Sequence, residues 1–185
     1  MKKLAFIVPL LGIFWSGCAV WTIATGKYVS TRDNYEVEVP EGWRKHNWGS
    51  NNLRLTRDGE TLQIIRIERL FFDKDPPHTK RKLTKGMLPQ EVAEVVIDDF
   101  RSSPNITDYR IIENAPAKVG GQPGFRIVYT YKTKTGLTRK GAYYGVLVND
   151  WYYYLVFEAP ARYYFPRDDQ TFEKLKETFK ITATS

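Results

Sequence analysis

Residues 137–158, LTRKGAYYGVLVNDWYYYLVFE, decide the fold. Asn149-Asp150 tolerates the positive φ of a two-residue hairpin turn, and runs of β-branched and aromatic residues flank it. Such a turn fixes the register. Val148 then faces Trp151, Leu147 faces Tyr152, Val146 faces Tyr153, Gly145 faces Tyr154, Tyr144 faces Leu155, Tyr143 faces Val156 and Ala142 faces Phe157. Successive side chains point to opposite faces, so both faces of this hairpin are apolar or aromatic. A sheet of this kind is covered on both sides, or it exposes a binding surface. In the first reading each face is covered by a helix, and Tyr154 covers the bare strand at Gly145. In the second the tyrosines line a groove for a peptide, a glycan or an apolar ligand, since tyrosine offers rigid area and one hydrogen-bonding tip.

The rest of the chain is punctuated in a compatible way. Asn34 to Val39 alternates polar and apolar residues as a half-buried strand does, and Pro40-Glu41-Gly42-Trp43 stops it. Leu53 to Thr56 is a short strand, Asp58-Gly59 signals a hairpin, and Thr61 to Leu70 follows as a buried strand with Arg66 and Glu68 turned outward. Phe71 to Met87 is a polar loop of a length that is uncommon unless functional or mobile. Pro89 suits a first helical position, and Glu91 and Glu94 lie where the helix dipole favours negative charge. Leu88, Val92, Val95, Val96 and Phe100 recur at helical spacing. This predicts a helix over Pro89–Ser102. Strands follow at Tyr109–Glu113 and Phe125–Tyr131, with a turn at Gly120-Gly121 between them. Asp168, Asp169 and Gln170 read as the capped start of a last helix whose Phe172, Leu175 and Phe179 share one face. Tight turns make neighbouring strands antiparallel. The expected architecture is α+β: a single largely antiparallel sheet of about six to seven strands with helices packed on its faces.

The order of these elements resembles the Mog1/PsbP-like fold. NYEVEVPEGWRK opens the domain, and RDGETLQIIRIERL, LPQEVAEVVIDDF, VGGQPGFRIVYTY, the aromatic hairpin and FEKLKETFKIT follow. The resemblance covers roughly residues 33–183, with Val39-Pro40 and Gly42-Trp43 its sharpest piece. It implies a scaffold that binds proteins rather than one that catalyses. The better-known members are a small-GTPase-binding nuclear transport factor and extrinsic or assembly proteins of photosystem II, and neither role transfers to this chain.

The N-terminus carries a different signal. Lys2 and Lys3 precede an apolar run from Leu4 to Trp15, and Ser16-Gly17-Cys18 closes it with small residues. This resembles the lipobox of bacterial lipoproteins, which implies a diacylglycerol on the Cys18 sulfur and Cys18 as the new N-terminus. Trp15 stands where that pattern prefers an aliphatic residue. Two other readings remain open: an ordinary secretory signal cut near Ala24, and a membrane span retained from Leu4 to Ala24. All three place the folded part outside the cytoplasm. The lipoprotein reading divides the chain into a signal peptide (1–17), a lipidated tether (18–32) and a folded domain (33–185). Ala19, where retention at the inner membrane would call for aspartate, implies the periplasmic side of the outer membrane in a host that has one.

Twenty-eight basic and 21 acidic residues give a net charge of +7 over 185 residues. Export removes nucleic acid as the partner of this charge and leaves anionic lipid, acidic envelope polymers or an envelope protein. The densest cluster, Lys80-Arg81-Lys82, sits in the long loop. Chemistry is sparse. The single cysteine belongs to the leader, and neither His46 nor His78 stands in a triad context. Asp73, Asp75 and His78 do not have diagnostic metal-ligand spacing. No catalytic residue, cofactor or metal is expected. Two functions follow. The first is a non-catalytic envelope lipoprotein that binds or assembles a protein partner, with Arg66, Lys80, Arg81 and Lys82 as contacts. The second is a small-ligand or glycan-binding domain, or a weak hydrolase, with Trp43, Tyr129, Tyr152 and Tyr154 lining a pocket beside the aromatic hairpin.

Overall fold

The computed structural model describes residues 20–47 and 52–182. In chain order the elements are β1 (Trp21–Ile23), β2 (Gly26–Ser30), β3 (Tyr35–Val39), β4 (Arg44–His46), β5 (Leu53–Thr56) and β6 (Ile64–Phe71), then α1 (Pro89–Ser102). After it come β7 (Ile106–Val119), β8 (Gln122–Thr133), β9 (Thr138–Val148), β10 (Trp151–Pro160), α2 (Tyr164–Thr178) and β11 (Lys180–Ile181). Cys18 and the leader lie outside the described residues. No helix among the described residues is long and apolar enough to cross a membrane.

Two antiparallel sheets replace the single sheet expected. The larger has eight strands in the order β1-β4-β5-β6-β10-β9-β8-β7, and the smaller has three, β11-β3-β2. The aromatic hairpin has the register that its turn dictates, from Trp151 opposite Val148 to Phe157 opposite Ala142. Asn149 takes a φ of 55°, which asparagine tolerates at the turn.

Within the stretch expected as a tether (18–32), Trp21–Ile23 and Gly26–Ser30 are strands. Trp21, Thr22 and Ile23 pair with His46, Lys45 and Arg44, and Gly26 to Ser30 pair with Val39 to Tyr35. Pairing to preformed edges supplies the order that the short segments lack by themselves.

Each face of the hairpin is covered. On one side α2 and the small sheet enclose Tyr144, Val146, Tyr153, Leu155 and Phe157 together with Tyr35, Trp43, Phe165, Phe172 and Phe179. On the other side α1 covers Phe125, Ile127, Tyr129, Tyr143, Tyr152 and Val156. α1 has the bounds predicted for it; Pro89 stands at its first position, and the Leu88 backbone N–H donates to Glu91 Oε2 at 2.7 Å. α1 rests on β7, β8 and β9, which leaves the β1–β6 half of that sheet face without a helix.

Two further expectations change. α2 begins at Tyr164, so Asp168 does not cap it. Asp168 is instead buried within the helix, bound by Arg57 at 3.3 Å and Arg167 at 2.6 Å. β7 runs through Pro116, far beyond Glu113. It is the last strand of the sheet, where a proline costs no ladder bond on its free side.

Candidate functional site

Between α1, the loop after β6 and the uncovered sheet face lies a cleft of about 390 Å³. Its floor is built by register. Arg66, Glu68 and Leu70 alternate along β6 and stand opposite Val156, Tyr154 and Tyr152 of β10. Residues two apart on a strand share a face, so three cross-strand pairs line up beneath one opening. Val95, Val96, Asp99 and Phe100 of α1 form one wall, and Lys74 to Pro77 with Leu83 form the other.

The loop wall is held down at named points. Asp99 Oδ1 accepts the backbone N–H of His78 at 2.7 Å and of Thr79 at 3.1 Å, and Thr79 Oγ1 donates to Asp98. The Phe72 backbone N–H donates to the Asp150 carbonyl at 3.1 Å. Leu83 is buried among α1 side chains. This segment has no regular element of its own, so α1 sets its path.

Polar groups line the floor. Tyr154 donates to Glu68 Oε2. Arg66 binds Glu158 at 2.9 Å. The Tyr143 and Tyr152 hydroxyls share a hydrogen bond of 2.8 Å, and burial holds both phenols well above their usual pKa. The rings of Tyr143 and Tyr154 stack with centroids 5.3 Å apart. Arg54 stands opposite Arg66 across β5 and β6, and the Nε atoms of both are buried without a hydrogen-bond partner. Burial first, and the Arg66 charge second, push the Arg54 guanidinium below its usual pKa. Two cationic side chains directly opposite on one face is an arrangement that sheets otherwise avoid.

The structure brings together some of the residues singled out in the sequence and separates others. Arg66, Tyr152 and Tyr154, drawn from both expected sets, meet in the cleft. Lys80, Arg81 and Lys82 are exposed on the loop that forms its wall, and Lys82 pairs with Asp75 at 2.7 Å. Trp43 and Tyr129 are sealed in the core at 1% and 0% exposure, so neither lines the cleft. The atoms nearest to Gly145 are those of the Phe125 ring and the Tyr152 hydroxyl. Glu68, Val96 and Asp99 are cleft residues that the sequence reading missed. The two on α1 fall on its half-buried side, where helical spacing gives no sign of a cleft. Another hollow, of about 480 Å³, lies between Pro89 and the Asn114–Lys118 stretch. Lys118 is the one charged side chain along it, and it lacks the converging polar groups of the cleft.

No family model matches the chain, and no curated protein matches it. Solved structures do. The cyanobacterial PsbP protein (CyanoP) of Synechocystis is similar over 94% of this chain and 99% of its own, with 14% identity and a TM-score of 0.60. The Ran-binding protein Mog1p of Saccharomyces cerevisiae is similar over 88% of this chain and 98% of its own, with 10% identity and a TM-score of 0.58. Identities this low speak for the fold alone: the chain has the Mog1/PsbP-like fold.

Proposed function

We propose that this protein is a non-catalytic binding module of the cell envelope, anchored outside the cytoplasm through a lipid on Cys18. In a host with two membranes it faces the periplasm from the outer one. A protein partner inserts a side chain or short segment into the cleft over Tyr152 and Tyr154. The observation that carries this reading is the cleft itself, where an apolar wall and floor meet a few fixed polar groups. The basic stretch Lys80-Arg81-Lys82 lies on the same loop and supplies electrostatic steering towards an acidic partner surface.

Photo-crosslinking in intact envelopes tests it. A benzophenone side chain at Pro76 or Val96, on the two walls, gives a discrete protein adduct; the same group at Ile112, exposed on β7, gives none. Adducts at all three sites, or at none, count against the reading. The intact mass of the membrane-extracted chain, with and without Cys18→Ala, tests the anchor separately.

A second reading rests on a specific feature. Tyrosine faces beside the Glu68 carboxylate and the Arg66 guanidinium suit a saccharide, whose ring stacks while its hydroxyls bond to fixed charges. Titration with neutral oligosaccharides then shifts NMR signals of Tyr152 and Tyr154, and envelope crosslinks at Pro76 are absent.

A further inference from the structure

The first described strand, β1, starts two residues after Ala19. Trp21 is already paired with His46, and only Ala19 and Val20 lie between it and Cys18. Three Cα steps reach about 10 Å at most. The polar layer of a bilayer is roughly 5–8 Å deep on each side. A lipid on Cys18 therefore leaves β1 no room to stand away from the membrane surface.

The side chains at that place have the matching chemistry. Ile23 is 78% exposed, Val20 44% and Val29 51%, so three large apolar residues are exposed within ten positions at the start of the described chain. Trp21 and Ile23 share a face with their strand partners His46 and Arg44. The Trp21 ring meets His46 edge-on at 4.7 Å. Trp21, Arg44 and Arg57 surround a shallow hollow of about 310 Å³ floored by Thr56, Asp58 and Gly59. Tryptophan with arginine at a boundary between apolar and aqueous phases is the composition of a membrane-interface belt. β1 is also an outer strand of the larger sheet.

We infer that the β1–β4 edge, with Val20, Trp21, Ile23 and Arg44, is the surface that this protein lays on an anionic bilayer. The inference rests on the anchor at Cys18 and goes beyond it: the lipid does not hold the domain on a leash but fixes its orientation. At about 4.8 Å per strand step, the floor of the cleft on β6 and β10 then stands roughly 14–19 Å from the edge that touches lipid. β7, at the other end of the sheet, faces away from the membrane. A partner entering the cleft is met close to the headgroups.

Spin labelling of the full chain tests this. With Cys18 acylated, Ile23→Cys and Ile112→Cys each provide one free thiol, and Ile112 lies on the opposite outer strand. The acyl mass is verified first, and the labelled proteins are placed in vesicles of phosphatidylethanolamine and phosphatidylglycerol. The nitroxide at Ile23 is expected to collide with oxygen several-fold more than with a water-soluble nickel chelate, and the one at Ile112 to do the reverse. Equal chelate access at both sites, with acylation verified, overturns the orientation while the anchor stands. Broadening between Ile23 labels would show β1 paired with a second copy and also overturns it. A full-length chain without acyl mass means that the anchor is an uncleaved span; Cys18 is then a second free thiol, so the comparison is repeated in a Cys18→Ala background, where the label at Ile23 or Ile112 stands alone and the same outcomes decide. A shortened, unacylated chain in the soluble fraction refutes both anchor and orientation. Val20→Cys replaces Ile23→Cys if that variant fails to fold.

Discussion

Tyr129 on β8 donates its hydroxyl to Glu158 on β10 across 2.8 Å, although β9 lies between them. The residue in between is Gly141, paired with Tyr129 on one side and Glu158 on the other. Its missing side chain lets the tyrosine ring lie across the middle strand, and a Cβ there would fall on the ring. Phe125 crosses the same strand at Gly145. The two glycines of β9 therefore set how the aromatic layer beneath α1 packs.

Gly141→Ala is the direct test. The ring must leave its place, which combines the overpacking cost of about 1–3 kcal/mol with loss of the bond to Glu158. Urea unfolding is expected to show a fall in the midpoint that exceeds the one seen for Tyr129→Phe, which removes the bond and leaves the ring. A smaller loss for Gly141→Ala would show that the ring is free to move aside.

Glu158 also anchors Arg66 at the edge of the cleft. Removing one member of a buried pair strands the other, at about 3–5 kcal/mol for a fully buried pair. The Arg66 side chain keeps 35% of its exposure, so the cost of Glu158→Ala falls at or below the low end of that range. Glu158→Gln keeps one acceptor oxygen for Arg66 or Tyr129 but places an amide NH2, a donor, at the other position, so it recovers only part of the loss. Equal losses for the two variants in chemical denaturation would mean that charge, not hydrogen bonding, sets the geometry of Arg66.

Most of the sheet was legible because its signals are local. The Asn149-Asp150 turn sets the hairpin register by itself, and Pro89 with Glu91 marks α1. What stayed hidden depends on partners far apart in the chain. β1 gains its order from β4 and β2 from β3, so nothing within Val20–Ser30 announces two strands. Asp168 looks like a cap until Arg57 and Gln63, more than a hundred residues earlier, close around it. Tyr129 and Tyr152 have the same type and alternation in the sequence. Both are buried, but Tyr152 on β10 also reaches the floor of the cleft, whereas Tyr129 packs against Phe100 of α1.

Alkaline pH is expected to unfold the protein together with tyrosine ionisation. Burial, then the Glu158 charge, pushes the Tyr131 phenol up to about 12, and burial holds Tyr129, Tyr143 and Tyr152 well above the usual tyrosine value. Unfolded tyrosine titrates near about 10. Each phenol is thus neutral in the fold while its unfolded counterpart loses a proton. The stability it contributes is complete below about pH 10 and declines as pH rises through the folded value, by about 1.4 kcal/mol per pH unit for each tyrosine. Tyrosinate absorbance and far-ultraviolet ellipticity should change together in that window. Tyrosines that titrate near their ordinary value with the sheet intact would contradict the sealed aromatic layer.

Asp99 decides whether the cleft keeps its outer wall. Its carboxylate accepts the N–H groups of His78 and Thr79, and no regular element on the loop side offers them another acceptor. Hydrogen bonds to a charged group contribute about 1.5–3 kcal/mol each, while α1 itself is held by Val92, Ala93, Val95 and Ile97 facing the sheet. Asp99→Ala should therefore loosen the loop and spare the domain. Amide exchange between residues 74 and 84 accelerates by roughly ten-fold or more, the scale of one lost bond of about 1.4 kcal/mol. Exchange in β8 to β10 and the global unfolding midpoint change little. If the wall is what grips the bound partner, crosslinking from Pro76 drops in this variant while the fold persists. If exchange accelerates across the sheet as well, the loop is part of the folding core rather than a separable wall.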